Sequence, residues 1–161
     1  MLYWIAVIVI ALDQTIKWLV VTHMTVNQAI GIIPGVVDLF YIKNYGAAFS
    51  LFIDQRILLI IVSVLVIAVI VFLERRRAIG KWDLKVALGL LLGGAAGNLL
   101  DRVHLGYVID YVYLQFIRFP VFNLADSAIV VSMIYLLVRF FFTGDTNHHP
   151  NKKDGRDDSH E

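Results

Sequence analysis

Residues Ile57–Leu73 read ILLIIVSVLVIAVIVFL, an apolar run interrupted only by Ser63. A helix that crosses a bilayer needs about 20 mostly apolar residues, and three further segments approach that length. Met1 to about Val21 is apolar apart from Asp13, Gln14, Thr15 and Lys17. About Leu84–Leu100 reads LKVALGLLLGGAAGNLL, and about Val121–Phe142 reads VFNLADSAIVVSMIYLLVRFFF. The composition agrees: 59% of the 161 residues are hydrophobic, 17% are charged, and the mean hydropathy is +0.75. Soluble domains run at roughly 45–50% apolar and about 25% charged. So much apolar surface has nowhere to hide in a chain this short. The sequence therefore predicts an all-α integral membrane protein with four transmembrane helices.

Zero cysteines exclude a disulfide framework, a Cys-based zinc site and a thiol nucleophile. A net charge of +1 leaves no basic excess to neutralise phosphates, so nucleic acid is not an expected partner. The first span lacks a basic leader and carries Asp13 and Lys17 where small residues would mark a cleavage site, so it is expected to be retained.

Short basic loops set orientation. ERRRAIGKWDLK, between spans two and three, holds Arg75, Arg76, Arg77, Lys81 and Lys85, and is expected in the cytoplasm. Four spans then put both termini there, and leave Thr22–Arg56 and about Asp101–Pro120 outside. VVDLFYIKNYGAAF in the first outer loop carries the β-branched and aromatic residues of an extended strand, followed by a Gly-containing turn. Phe49, Leu51, Phe52 and Ile53 then suit a segment on the membrane surface. Residues 1–143 read as one four-span domain; 144–161 form a polar, mixed-charge tail expected to be disordered.

Ionisable groups within spans cost about 2.5–3.5 kcal/mol each even on lenient scales, so their placement is informative. Asp13 and Lys17 are four apart and can pair. Asn98 and Arg102 share that spacing at the outer end of span three. Asn123 and Asp126 begin span four, and Asp110 lies in the short outer loop between. All fall at one depth, near the outer face. Asp101 is expected to cap or to pair with Arg102, and stays outside the candidate set. Gly89, Gly93 and Gly97 recur every four residues, a spacing that lets helices approach closely in lipid.

Ser127 adjoins Asp126 but has no histidine nearby, and neither a G-x-S-x-G elbow nor an H-E-x-x-H zinc motif is present. Paired carboxylates remain. If Asp110 and Asp126 met, one carboxyl would hold a shared proton, and the pair could work as general base and general acid. The residues alone leave open a structural ion pair with Arg102 or Arg118 instead.

Five segments carry a resemblance: DQTIK at Asp13–Lys17, KNYGAAF at Lys43–Phe49, GGAAGNLLDR at Gly93–Arg102, VIDY at Val108–Tyr111 and FNLADS at Phe122–Ser127. In this order the chain, from Met1 to about Phe142, resembles the lipoprotein signal peptidase family (signal peptidase II), aspartic peptidases of bacterial membranes. Tyr111 stands where the family often has Phe. The resemblance implies that Asp110 and Asp126 are the catalytic pair. It also implies that Asp13, Lys17, Asn44, Asn98, Arg102 and Asn123 support them, with Gly46 beside Asn44 in that set. It implies cleavage of a prolipoprotein before its diacylglyceryl-modified cysteine, in the bacterial cell membrane, without metal or other cofactor. A cyclic peptide antibiotic bearing a hydroxyl that mimics the tetrahedral intermediate is then the expected inhibitor. A small proton-coupled transporter is the alternative, although its ionisable groups belong near the bilayer midplane.

Overall fold

The computed structural model describes residues 1–46 and 55–143. The surface segment expected at Phe49–Ile53 and the polar tail therefore lie outside the described residues. Among the described residues, four helices are long and apolar enough to cross a membrane: α1 (Leu2–His23), α2 (Arg56–Arg75), α3 (Trp82–His104) and α4 (Leu124–Thr143). The protein is a multi-pass membrane protein. Its helices expose large apolar side chains such as Trp4, Ile57, Leu65 and Phe140; in lipid such faces need no protein cover.

Helix α3 is the centre of the bundle and packs against the other three. Its small residues make this possible. A Cβ on Gly93 would lie 2.6 Å from Val9 Cβ and 2.9 Å from the Ala6 carbonyl oxygen of α1. One on Gly94 would lie 2.5 Å from the Ala125 carbonyl oxygen of α4. The four-residue glycine spacing thus serves close backbone approach, as the sequence suggests. At one end of the bundle Ser132 Oγ donates to the Ala87 carbonyl at 2.7 Å, and Arg139 of α4 pairs with Asp83 of α3.

The other end carries a three-stranded antiparallel sheet in the order β1 (Ala29–Ile33), β2 (Val37–Asn44), β3 (Val108–Leu114). Pro34–Gly35 turns β1 into β2; Gly35 takes φ 75° and Val36 N–H donates back to the Ile33 carbonyl, the geometry that Pro then Gly favours. The strand expected in the first outer loop is β2. The sheet is larger than that reading, because β1 precedes it and β3 comes from the second outer loop. Asp110 accordingly sits in a strand rather than a loop. Span four also starts later than expected: Phe122 still pairs with Val112 of β3, and the helix begins at Leu124.

Candidate active site

The sheet end of the bundle gathers the polar residues. In the register of β2 and β3, Ile42 faces Asp110 and Asn44 faces Val108. Asn44 therefore lies diagonally across from Asp110 on the same face, and its Nδ2 donates to Asp110 Oδ2 at 2.7 Å. Asn44 Oδ1 accepts from Gly46 N–H at 2.9 Å, which fixes the turn that leaves the strand.

The start of α4 leaves N–H groups without helical partners, and side chains satisfy them. Asn123 Oδ1 accepts from Asp126 N–H at 2.8 Å while Asp126 Oδ2 accepts from Asn123 N–H at 3.2 Å. This is a reciprocal capping box, in which the acidic member is the candidate catalytic residue. Leu124 N–H donates to the Tyr111 hydroxyl at 3.1 Å, and Ala125 N–H to Asp13 Oδ1 at 3.1 Å. A carboxylate at a helix N-terminus is favourably placed in the helix dipole.

Asn123 also faces the other way. Its Nδ2 donates to Asp110 Oδ1 at 2.7 Å and to Asn98 Oδ1 at 3.1 Å. Asn98 Nδ2 donates to Asp126 Oδ1 at 2.7 Å. The structure thus links Asp110 and Asp126 through Asn123 and, on the Asp126 side, Asn98. Asp110 is fully buried. Burial pushes its carboxyl up to about 7, and the neighbouring Asp126 charge adds to the rise; the N–H donors of Asn44 and Asn123 and the Lys17 charge oppose it.

Beneath the pair lies a buried charge cluster. Lys17 Nζ is 2.8 Å from Asp13 Oδ2, 2.8 Å from Asp101 Oδ2 and 3.0 Å from Asn98 Oδ1. The expected Asp13–Lys17 pair is present. Asp101 does not pair with Arg102; it pairs with Lys17 of another helix. Gln14 joins the group, donating to Asp101 Oδ1 at 2.9 Å and to the Gly97 carbonyl at 3.2 Å. Asp101 and Gln14 thus join the residues expected from the sequence. Their signal was present: Asp101 follows Asn98 by three residues and so shares its helix face.

Arg102 forms no ion pair with Asp110 or Asp126 among the described residues. Its guanidinium donates to the Gly46 carbonyl at 3.2 Å, bringing the end of β2 to α3. Arg56 caps the end of α3 by donating to the Arg102 and Val103 carbonyls at 2.7 and 2.9 Å. Arg118 likewise forms no ion pair with either aspartate among the described residues.

A cleft of about 200 Å³ opens on this site, lined by Asn44, Arg102, Val108, Asp126, Ile129 and Val130 among others. A second, almost wholly apolar one of about 260 Å³ adjoins it through Phe119, Phe122, Asp126 and Val130, with Ser127 and Val131 beyond. Asp126 lines both clefts, and Asp110 lies buried behind it, joined to it through Asn123.

The family model described as signal peptidase (SPase) II matches residues 5–142. A lipoprotein signal peptidase of Geobacillus kaustophilus is 44% identical over 142 residues, covering 87% of this chain and 92% of that one. One of Streptococcus agalactiae is 37% identical over 145 residues, covering 90% and 94%. A bacterial membrane enzyme solved in meso at 2.3 Å superposes with a TM-score of 0.84 at 27% identity, covering 96% of this chain and 93% of that one. Another, solved at 1.9 Å, gives 0.78 at 29% identity, covering 85% and 90%.

Proposed function

The chain belongs to the signal peptidase II family, and from that membership we propose that it removes the signal peptide of prolipoproteins by aspartic chemistry at Asp110 and Asp126. It is a membrane protease with a prolipoprotein substrate. The observation that supports the aspartic reading is Asn123, whose one side chain serves Asp110 while its main chain and cap serve Asp126. A proton-coupled transporter has no support in the family.

In this reading one carboxyl is ionised and the other protonated when substrate arrives, because two buried carboxylates in one site do not both ionise cheaply. The carboxylate takes a proton from a water molecule whose oxygen attacks the scissile carbonyl carbon, while the carboxylic acid donates its proton to the carbonyl oxygen. A tetrahedral gem-diol forms. Its collapse returns a hydroxyl proton to one carboxylate and passes a proton to the leaving nitrogen as the C–N bond breaks. The signal peptide leaves with a new carboxyl terminus and the lipoprotein with a free α-amino group on its cysteine. Asn44, Asn98 and Asn123 hold the carboxylates in place, and Asp13, Lys17, Arg102 and Gly46 support the surrounding backbone.

The groove along Ser127, Val130 and Val131 suits the acyl chains of a diacylglyceryl cysteine. With the basic loop Arg75–Lys85 in the cytoplasm, both termini lie there and the site lies near the outer face. A cyclic peptide antibiotic bearing a hydroxyl should place that group between the aspartates, as the gem-diol would sit. The test is cleavage of a diacylated prolipoprotein in detergent by wild type, Asp110→Asn and Asp126→Asn. Each variant is expected to insert and fold but to lose turnover, the double variant being no worse than either. Near-normal turnover by Asp110→Asn would overturn the assignment.

A further inference from the structure

We propose that Asp101 is a positioning residue for both aspartates at once, an inference that rests on the assignment of Asp110 and Asp126 as the reacting pair. Asp101 is 3% exposed and makes three contacts with different consequences. Its Oδ2 accepts from Ile109 N–H at 3.2 Å, pinning β3 at the residue before Asp110. The same oxygen lies 2.8 Å from Lys17 Nζ. Its Oδ1 accepts from Gln14 Nε2 at 2.9 Å, which holds the carboxylate plane.

The path from Lys17 to Asp126 follows from hydrogen-bond chemistry. An ammonium has three donors and no acceptor, and Lys17 spends all three, on Asp13, Asp101 and Asn98. Asn98 can therefore turn only its oxygen toward Lys17. Its N–H₂ end is then left to face Asp126, where it donates to Oδ1 at 2.7 Å. Asp101 keeps Lys17 at the one place from which it can impose this orientation. Through Ile109 it fixes the height of Asp110, and through Lys17 and Asn98 it fixes a donor on Asp126.

Positioning and simple charge balance make opposite demands on Asp101. Asparagine keeps an oxygen for Lys17 and Ile109 N–H but removes the charge. Glutamate keeps the charge but moves the oxygens by one methylene. The experiment is steady-state cleavage of a diacylated prolipoprotein by Asp101→Asn, Asp101→Glu and Asp101→Ala, with kcat referred to folded enzyme and Tm measured alongside. Positioning predicts that Asp101→Ala and Asp101→Glu lose at least tenfold in kcat with KM within about twofold, and that Asp101→Asn recovers most of the loss. Asp101→Glu at wild-type kcat, or Asp101→Asn as impaired as Asp101→Ala, would overturn the proposal. If Asp101→Ala does not fold, the Asn and Glu variants decide the matter between them. Asp110→Asn is run in parallel: if it is inactive while Asp101→Glu is unimpaired, only the positioning role fails. If Asp110→Asn is active, the reacting pair itself is wrong, and this inference falls with it.

Discussion

Asn123 donates to Asp110 Oδ1 across 2.7 Å from one end of a carboxamide whose other end, Oδ1, accepts Asp126 N–H at 2.8 Å. A single carboxamide thus ties strand β3 to the first turn of α4. An amide can do both because it carries a donor at one end and an acceptor at the other. Asn123→Asp keeps an oxygen for the cap, and Asp caps as well as Asn, but it sets a third carboxyl against Asp110. The expected result is a Tm that falls at neutral pH and recovers as the added carboxyl is protonated in acid, because its buried oxygens face acceptors, with a loss of about a hundredfold or more in kcat. Asn123→Ala should lower Tm and kcat alike with no such pH dependence, the missing cap alone costing about 1 kcal/mol. A thermal melt and a cleavage assay on the two variants separate these effects.

Asp110 also leaves a signature in stability. Its carboxyl is raised from an ordinary value near 3.8 to about 7 by burial, then by the Asp126 charge. Between those values the folded chain holds a proton that the unfolded chain has released, so stability falls as pH rises from about 4 to about 7. Asp110→Asn removes this titration. It also turns one acceptor into a donor facing Asn44 or Asn123, at a cost that does not vary with pH. The Tm of the variant relative to wild type should therefore climb between pH 4 and pH 7 and level off above. A difference that stays flat across that window would show that Asp110 titrates normally.

The four spans are legible because lipid demands long apolar helices, and Ile57–Leu73 offers no other reading. The convergence of polar residues is legible too, since Asp13, Asn98, Asn123 and Asp126 fall at one end once the helices are counted. Strand β3 is harder to read. VIDYVYL is buried on both faces over its first four residues, so it lacks the alternation of a half-solvated strand, and its buried Asp110 disguises it further. Asp101 is missed for another reason. Its neighbour Arg102 offers a ready local partner, whereas its actual partner Lys17 is reached only when Gly93 and Gly97 let α1 close on α3.

That closure makes the glycines of α3 unequal. A Cβ at Gly97 would lie 2.6 Å from Asp13 Oδ2, the carboxylate that holds Lys17 and the Ala125 N–H. A Cβ at Gly93 would meet Val9 and the Ala6 carbonyl, one turn away from the site. Overpacking of this kind costs about 1–3 kcal/mol. Gly93→Ala should lower Tm while its folded fraction keeps most of its kcat. Gly97→Ala should lower both, because it displaces Asp13 itself. Gly80→Ala, with nothing within 4 Å of the added methyl, is the control for both. Equal kcat in the Gly93 and Gly97 variants would detach Asp13 from the site.

The apolar groove beside Asp126 should set how strongly turnover depends on the substrate's lipid. Val130 lines both the cleft of about 200 Å³ and the adjoining one of about 260 Å³, and half of its surface is exposed. Each buried methylene of an acyl chain contributes about 0.8 kcal/mol in the ideal limit. Part of that binding energy can hold the scissile bond between Asp110 and Asp126, so a substrate without diacylglycerol should lose kcat as well as affinity. Val130→Trp fills the groove from a lipid-facing position on α4 without disturbing the capping box one turn earlier. It should leave Tm nearly unchanged, depress kcat/KM for the diacylated substrate by tenfold or more, and barely alter the already poor cleavage of the unlipidated one. The measurement is kcat/KM for matched substrates with and without diacylglycerol, on wild type and variant. A Val130→Trp enzyme that still prefers lipidated substrate by the wild-type ratio would place the acyl chains elsewhere on the bundle.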